Sequence, residues 1–201
     1  WVRRFIMKRL LLIVLLLSVG FSQQLAKVVE TYENGNIKSI TSHKETRNRI
    51  EKVKEVKYHE NGQKQYEGTF KNGEQDGLFA EWYENGQKKY EWNYKDGKKD
   101  GLTTKWHENG QKDYEWNYKD GKLDGLTTKW YENGQKKIEG TYKDGKLDGL
   151  KTDWYENGQM SFKGIFKNGE LDGLSTQWFE NGQKENEGTF KDGELVNIIG
   201  R

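Results

Sequence analysis

From about residue 58 to the C-terminus, rings and aliphatic side chains fall at every second position of short runs, and each run stops at an Asn-Gly or Asp-Gly pair. Leu102, Thr104 and Trp106 alternate along one run; Tyr114, Trp116 and Tyr118 alternate along the next. A period of two bounded by such dipeptides predicts strands joined by tight turns. The pattern also repeats at long range. Glu-Asn-Gly begins at Glu60, Glu84, Glu108, Glu132, Glu156 and Glu180, each 24 residues after the last, and an earlier copy at Glu33 lies 27 residues upstream. A fixed period of this size is the mark of a repeat architecture. One such unit cannot bury its own apolar face, so neighbouring units must stack. The chain has no Pro, which leaves every strand free to sit inside a sheet.

The turns set which residues share a face. A two-residue Asn-Gly loop would pair Trp106 with Asp113 and separate the apolar sets. A three-residue loop puts Glu108-Asn109 in a type I turn and Gly110 in the left-handed region, and it pairs Trp106 with Lys112. Continued regularly, that register pairs Thr104 with Tyr114, sets Leu102 against Trp116 and gathers all apolar residues on one face. The same three-residue geometry is expected at Lys119-Asp120-Gly121. The predicted fold is all-β: tandem 24-residue hairpins in an elongated, twisted antiparallel meander, mostly one layer thick. At ~4.8 Å per strand, six units advance roughly 60 Å.

Stacking turns columns into ladders. One reads Tyr58, Trp82, Trp106, Trp130, Trp154, Trp178; a second Tyr66, Tyr90, Tyr114, Ile138, Phe162, Asn186; a third Phe70, Tyr94, Tyr118, Tyr142, Phe166, Phe190. Leu78, Leu102, Leu126, Leu150 and Leu174 complete the apolar set. A further column, Gly68, Trp92, Trp116, Gly140, Gly164, Gly188, is irregular. Gly inside a strand marks a place where a ring or backbone lies close. Two central units carry Trp there, which makes the ladder bulkiest between residues 90 and 118. That bulk is either local repacking or a contact patch for a partner. The candidate binding residues are Trp92, Trp116, Trp106, Tyr114, Trp82 and Trp130. Lys105, Glu115 and Lys129, between the ladders, read as a mixed solvated face.

Composition sharpens this picture. Apolar residues make up 32% of the chain, against the ~45–50% usual in globular domains, yet it holds 8 Trp and 11 Tyr. A thin, ring-covered sheet fits those values; a thick core does not. The N-terminus is a separate object. Met7, basic Lys8-Arg9, an apolar run from Leu10 to Leu17, then Ser18, Gly20 and Ser22 read as a secretory signal peptide. Residues 1–22 are thus expected to be upstream sequence and leader, 23–57 a degenerate capping repeat, and 58–201 the regular array with its C-terminal cap. Export to the periplasm, envelope or medium follows, with either cleavage or retention of the leader as an anchor. Of 34 basic residues, Arg3, Arg4, Lys8 and Arg9 lie in that segment, so 30 face 32 acids in the remainder. No cationic excess is left to attract nucleic acid or an anionic membrane surface. With no Cys, neither disulfides nor thiolate metal sites can form.

The units resemble the bacterial variant of the MORN repeat, with its Tyr-x-Asn-Gly and Tyr-x-Asp-Gly-x-x-x-Gly hairpins. The matching residues are Trp82 to Gln87, Tyr94-Lys95-Asp96-Gly97 and Asp100-Gly101-Leu102, and the likeness runs from about residue 28 to 195. Many such proteins resemble the YwqK group, known as antitoxins of toxin–antitoxin systems. The resemblance implies a binding role against a partner protein.

Catalytic chemistry is not expected. His43, His59 and His107 are scattered, and the last two fall in a column otherwise held by Tyr83, Tyr131, Tyr155 and Phe179, where each reads as a ring on a strand. Recurring pairs such as Asp96 with Asp100 and Asp120 with Asp124 could ligate calcium. Asp-Gly is equally what a tight turn requires, and neither the EF-hand nor the nonapeptide calcium spacing is present. No enzyme, cofactor or metal is therefore predicted, and the function expected is protein binding, with glycan or envelope binding on the aromatic ladder as the alternative.

Overall fold

A computed structural model describes residues 10–13, 25–45 and 49–199. Every regular element among them is a strand: β1 (Leu10–Ile13), β2 (Leu25–Thr31), β3 (Ile37–Glu45), β4 (Ile50–Tyr58), β5 (Lys64–Lys71), β6 (Glu74–Trp82), β7 (Lys88–Lys95), β8 (Lys98–Lys99), β9 (Gly101–Trp106), β10 (Lys112–Lys119), β11 (Lys122–Trp130), β12 (Lys136–Lys143), β13 (Lys146–Trp154), β14 (Met160–Lys167), β15 (Glu170–Trp178), β16 (Lys184–Lys191) and β17 (Glu194–Ile198). β8 and β9 are one strand interrupted at Asp100, and both pair with β7. Apart from β8 and β9, which continue one another, each strand is antiparallel to its sequence neighbour, so the chain is one open meander in sequence order. Most of the expected leader lies outside the described residues; Leu10–Ile13 alone are seen, paired with β2 from Leu10 opposite Glu30 to Ile13 opposite Lys27.

The Glu-Asn-Gly turns have the three-residue geometry. Gly110 has φ +85, and the matching glycines from Gly62 to Gly182 are also left-handed. Gly110 N–H donates to the His107 carbonyl at 2.9 Å, and His107 N–H donates to the Gln111 carbonyl at 2.8 Å. Trp106 stands opposite Lys112. Glycine is favoured here by its backbone. A side chain at position 110 would hold a disfavoured positive φ, while the Gln87 side-chain end 2.8 Å from its Cβ could move aside. The turn at Glu33 is built the same way, with Gly35 at φ +88, so the hairpin repeat extends into the degenerate N-terminal segment.

The Asp-Gly turns differ from expectation. Lys119 pairs with Lys122, leaving only Asp120-Gly121 in the loop. Both are left-handed, at φ +49 and +83. Two consecutive positive φ values make a type I′ turn, whose twist matches the strands it joins.

The expected face is overturned by a bulge just beyond each Glu-Asn-Gly turn. After Lys112 opposite Trp106, Tyr114 stands opposite Lys105, Glu115 opposite Thr104 and Trp116 opposite Thr103. Asp113 is the extra residue. Lys89, Lys137, Ser161 and Glu185 are skipped in the same way in other units. One inserted residue shifts the register by one and moves all later side chains to the other face. Trp106 therefore does not share a face with Tyr114 and Trp116, and Leu102 does not oppose Trp116. One face carries Tyr114, Trp116 and Tyr118 with Thr103 and Lys105. The other carries Leu102, Thr104 and Trp106 with Glu115 and Asn117. The supposed solvated face divides likewise: Lys105 and Lys129 flank Tyr114, while Glu115 lies on the leucine side between Thr104 and Thr128.

The core is correspondingly narrow. In four units two adjacent residues are buried, one towards each face: Phe79 and Ala80, Thr103 and Thr104, Thr127 and Thr128, Ser175 and Thr176; in β13 Thr152 is buried beside a half-buried Lys151. Thr suits this place where its hydroxyl finds a partner inside the sheet; Thr103 Oγ1 is buried without one. Thr127 Oγ1 donates to the Gly140 carbonyl at 3.1 Å, and Thr176 Oγ1 to Glu187 Oε2 at 2.9 Å.

Candidate partner-binding surface

The residues that repeat most faithfully serve the fold. Asn85, Asn109, Asn133 and Asn157 each donate from Nδ2 to the carbonyl of the Glu in the next turn, at 2.9–3.3 Å. Each also accepts, at Oδ1, the N–H two residues on. Tyr83, Tyr131 and Tyr155 donate from the hydroxyl to the carbonyls of Trp106, Trp154 and Trp178, at 2.8–2.9 Å. His59 occupies the same position, with Nε2 3.0 Å from the Trp82 carbonyl. On the opposite long edge, Asp100 and Asp124 accept the turn N–H of Asp120 and Asp144 at 3.2–3.3 Å. These carboxylates are thus committed to backbone between units, which supports turn chemistry over calcium. Among the described residues, no three His, Asp or Glu side chains are grouped to hold a metal ion.

Function must then be sought where units differ from one another. The largest departure is on the Tyr114 face between residues 66 and 118. Phe79 is wholly buried at its centre, in a column that elsewhere holds Thr103, Thr127, Lys151 and Ser175. Its ring meets Phe70 edge-on at 5.5 Å and Tyr94 edge-on at 5.3 Å, and lies nearly parallel to Trp92 at 6.3 Å. Tyr90 meets Trp92 edge-on at 5.8 Å, and Tyr114 stacks on Trp116 at 4.0 Å. Ring pairs at these separations add about 0.5–1.5 kcal/mol each beyond area burial. Burial, and secondarily the Glu55 charge, pushes the Tyr66 hydroxyl up to about 12. Burial, and then neighbouring Tyr90, does the same for Tyr114, also to about 12. Both hydroxyls therefore stay protonated beyond the ordinary tyrosine range.

A polar cluster borders the rings. Lys105 Nζ bonds Asp113 Oδ2 at 2.8 Å and lies 5.6 Å from the Tyr90 centroid and 5.9 Å from that of Tyr114. The hydrogen bond to Asp113 is the main cause of the raised Lys105 pKa. Asp113 is itself buried. His107 departs from the inter-unit rule: its Nε2 is buried without a hydrogen bond, 4.0 Å from Asp113 Oδ1.

Of the six candidate residues, the structure brings together Trp92, Trp116 and Tyr114 and places Trp82, Trp106 and Trp130 on the reverse face. The Trp rings on that face are overlain by lysine ammoniums. Lys88 lies 5.7 Å from the Trp106 centroid and Lys112 5.5 Å from that of Trp130. The glycine column behaves as its composition implied: a Cβ on Gly164 would come 2.7 Å from Phe162 Cζ. Phe79 and Asp113 were not singled out in the sequence. Both stand in columns that vary from unit to unit, so neither carries a distinct signal in the sequence.

The MORN repeat variant profile matches the chain six times, at residues 53–72, 75–96, 99–120, 123–144, 147–168 and 171–192. The chain belongs to the MORN repeat variant family. No curated protein shows significant similarity to it. The six matched MORN units coincide with the hairpins described above, and the turn at Glu33 adds one outside the matched residues.

Proposed function

We propose that this protein is exported and binds a partner protein, without catalysis, through the ring cluster around Phe79, Trp92, Tyr114 and Trp116. The observation that carries this reading is the contrast between units. Inter-unit bonds are nearly uniform along the array, whereas the rings concentrate in one stretch of one face, over which no second layer lies among the described residues. Trp and Tyr side chains are the usual anchors of protein recognition. Export is supported by the basic, apolar and small-residue order of residues 7–22. The resemblance to the YwqK group suggests one form of this activity, an antitoxin-like role with a toxin as the partner.

The test uses the repeat protein as bait against envelope and medium fractions, side by side with a Trp92→Gly/Trp116→Gly variant. A protein captured by the wild type and lost from the variant supports the proposal. Equal capture by both removes the ring cluster from the interface. Glycan-array binding that disappears in the same variant, with no protein captured, replaces the protein partner by a sugar.

A further inference from the structure

On the leucine face, Leu78, Leu102, Leu126, Leu150 and Leu174 are 42–51% exposed. They occupy one column, two strands apart, so they recur about every 9.6 Å and span about 38 Å. Ile165, opposite Leu150, adds another exposed side chain at 44%. Single exposed leucines need no explanation, but an aligned series over the length of a sheet does. Sheets in stable domains cover such a series with a second layer. This chain supplies none among its described residues.

We infer that the second layer is another copy of this chain, packed leucine face to leucine face as a sandwich dimer. Three observations select that occupant. The first is period: a partner must present an apolar position every two strands for five units, and the molecule's own face does so. The second is charge. Lys64, Lys88, Lys112, Lys136 and Lys184 are each bonded to the Glu three residues on, so these five cations meet a copy as compensated ion pairs. The third is area. Strands of eight or nine residues are about 27 Å long, and over the leucine span the face offers about 1,000 Å² per copy, above the roughly 800 Å² per partner of a standard stable interface. The pairing leaves both ring clusters outward, so the dimer is bivalent for whatever they bind. It does not depend on the identity of that partner.

Light scattering coupled to size-exclusion chromatography, on the full chain across a dilution series, tests this. The expected mass is twice that of the monomer at high concentration. Leu102→Glu/Leu126→Glu should weaken dimerisation at least tenfold with an unchanged circular dichroism spectrum, and Trp116→Gly on the other face should leave it intact. If the glutamate variant does not fold, Leu102→Asn/Leu126→Asn, which mimics the neighbouring Asn117 position, carries the same prediction. A monomer at every concentration overturns the inference. So does a dimer that survives the leucine substitutions or dissociates with Trp116→Gly.

Discussion

The central units, from β5 to β10, and the C-terminal units, from β12 to β16, share turns, bulges and inter-unit bonds but differ in what covers one face. In the centre, Trp92 and Trp116 stand in the strands, and Phe79 is wholly buried beside Trp92. In the C-terminal units the same column is Gly140, Gly164 and Gly188, closed over by Leu147, Phe162 and Leu195. One backbone thus accepts either a large ring or none. The lesson is that the repeat forms with or without a Trp in this column, so Trp92 and Trp116 are not required for it.

Breaking the central packing should have the largest effect. Phe79→Ala removes a fully buried ring and should cost about 3–5 kcal/mol in denaturant unfolding. Thr127→Ala, at the same column in a later unit, should cost only about 1 kcal/mol, the worth of its bond to the Gly140 carbonyl. Equal costs would erase the difference between the regions.

Alkaline titration sharpens the comparison at the central rings. Tyr66 and Tyr114 have folded pKa values raised from 10.0 to about 12. Below pH 10 both states hold the proton and the stabilisation is complete; as pH rises towards 12 the unfolded chain ionises first and that stabilisation is lost. Unfolding followed by tyrosinate absorbance should therefore show stability falling across this interval. The fall should lessen in Tyr66→Phe/Tyr114→Phe.

The glycine column can be tested directly. Gly164→Ala places a Cβ 2.7 Å from Phe162 Cζ and 2.9 Å from Leu171 Cδ2, which should destabilise by about 1–3 kcal/mol through overpacking. A neutral result would show that the C-terminal face is looser than described.

The smallest effect is a gain. His107 is the one ring of its kind whose hydrogen-bonding atom is buried without a partner, where Tyr83 and Tyr131 each bond the next unit's Trp carbonyl. His107→Tyr should restore a bond to the Trp130 carbonyl and raise stability by about 1 kcal/mol. Hydrogen exchange should slow on the Glu-Asn-Gly edge, between the turn at His107 and the end of β11.

Much of the fold was legible in the sequence because turn chemistry is local. Gly110 and its counterparts announced left-handed turns, and the period announced stacked hairpins in sequence order. What could not be read was the bulge at Asp113. Apolar residues alternate on both strands whichever register holds, and a one-layer sheet has no buried side to reject the wrong one. The Asp-Gly turn departs from the three-residue expectation because Asp120 tolerates a positive φ, allowing Asp120-Gly121 to form a type I′ turn. The candidate surface is therefore half legible: Trp92, Trp116 and Tyr114 share one face, while Trp82, Trp106 and Trp130 lie on the other.

The register beyond the bulge is the claim on which both proposed surfaces stand, and cross-strand nuclear Overhauser contacts from the Trp116 ring measure it most directly. Trp116 stands between Thr103 and Thr127. Contacts from its indole to the methyls of those two threonines, together with contacts from Lys105 to the Tyr114 ring, are the predicted result. Contacts from the Trp116 indole to the methyls of Leu102 or Thr104 would put all the rings on one face and contradict it.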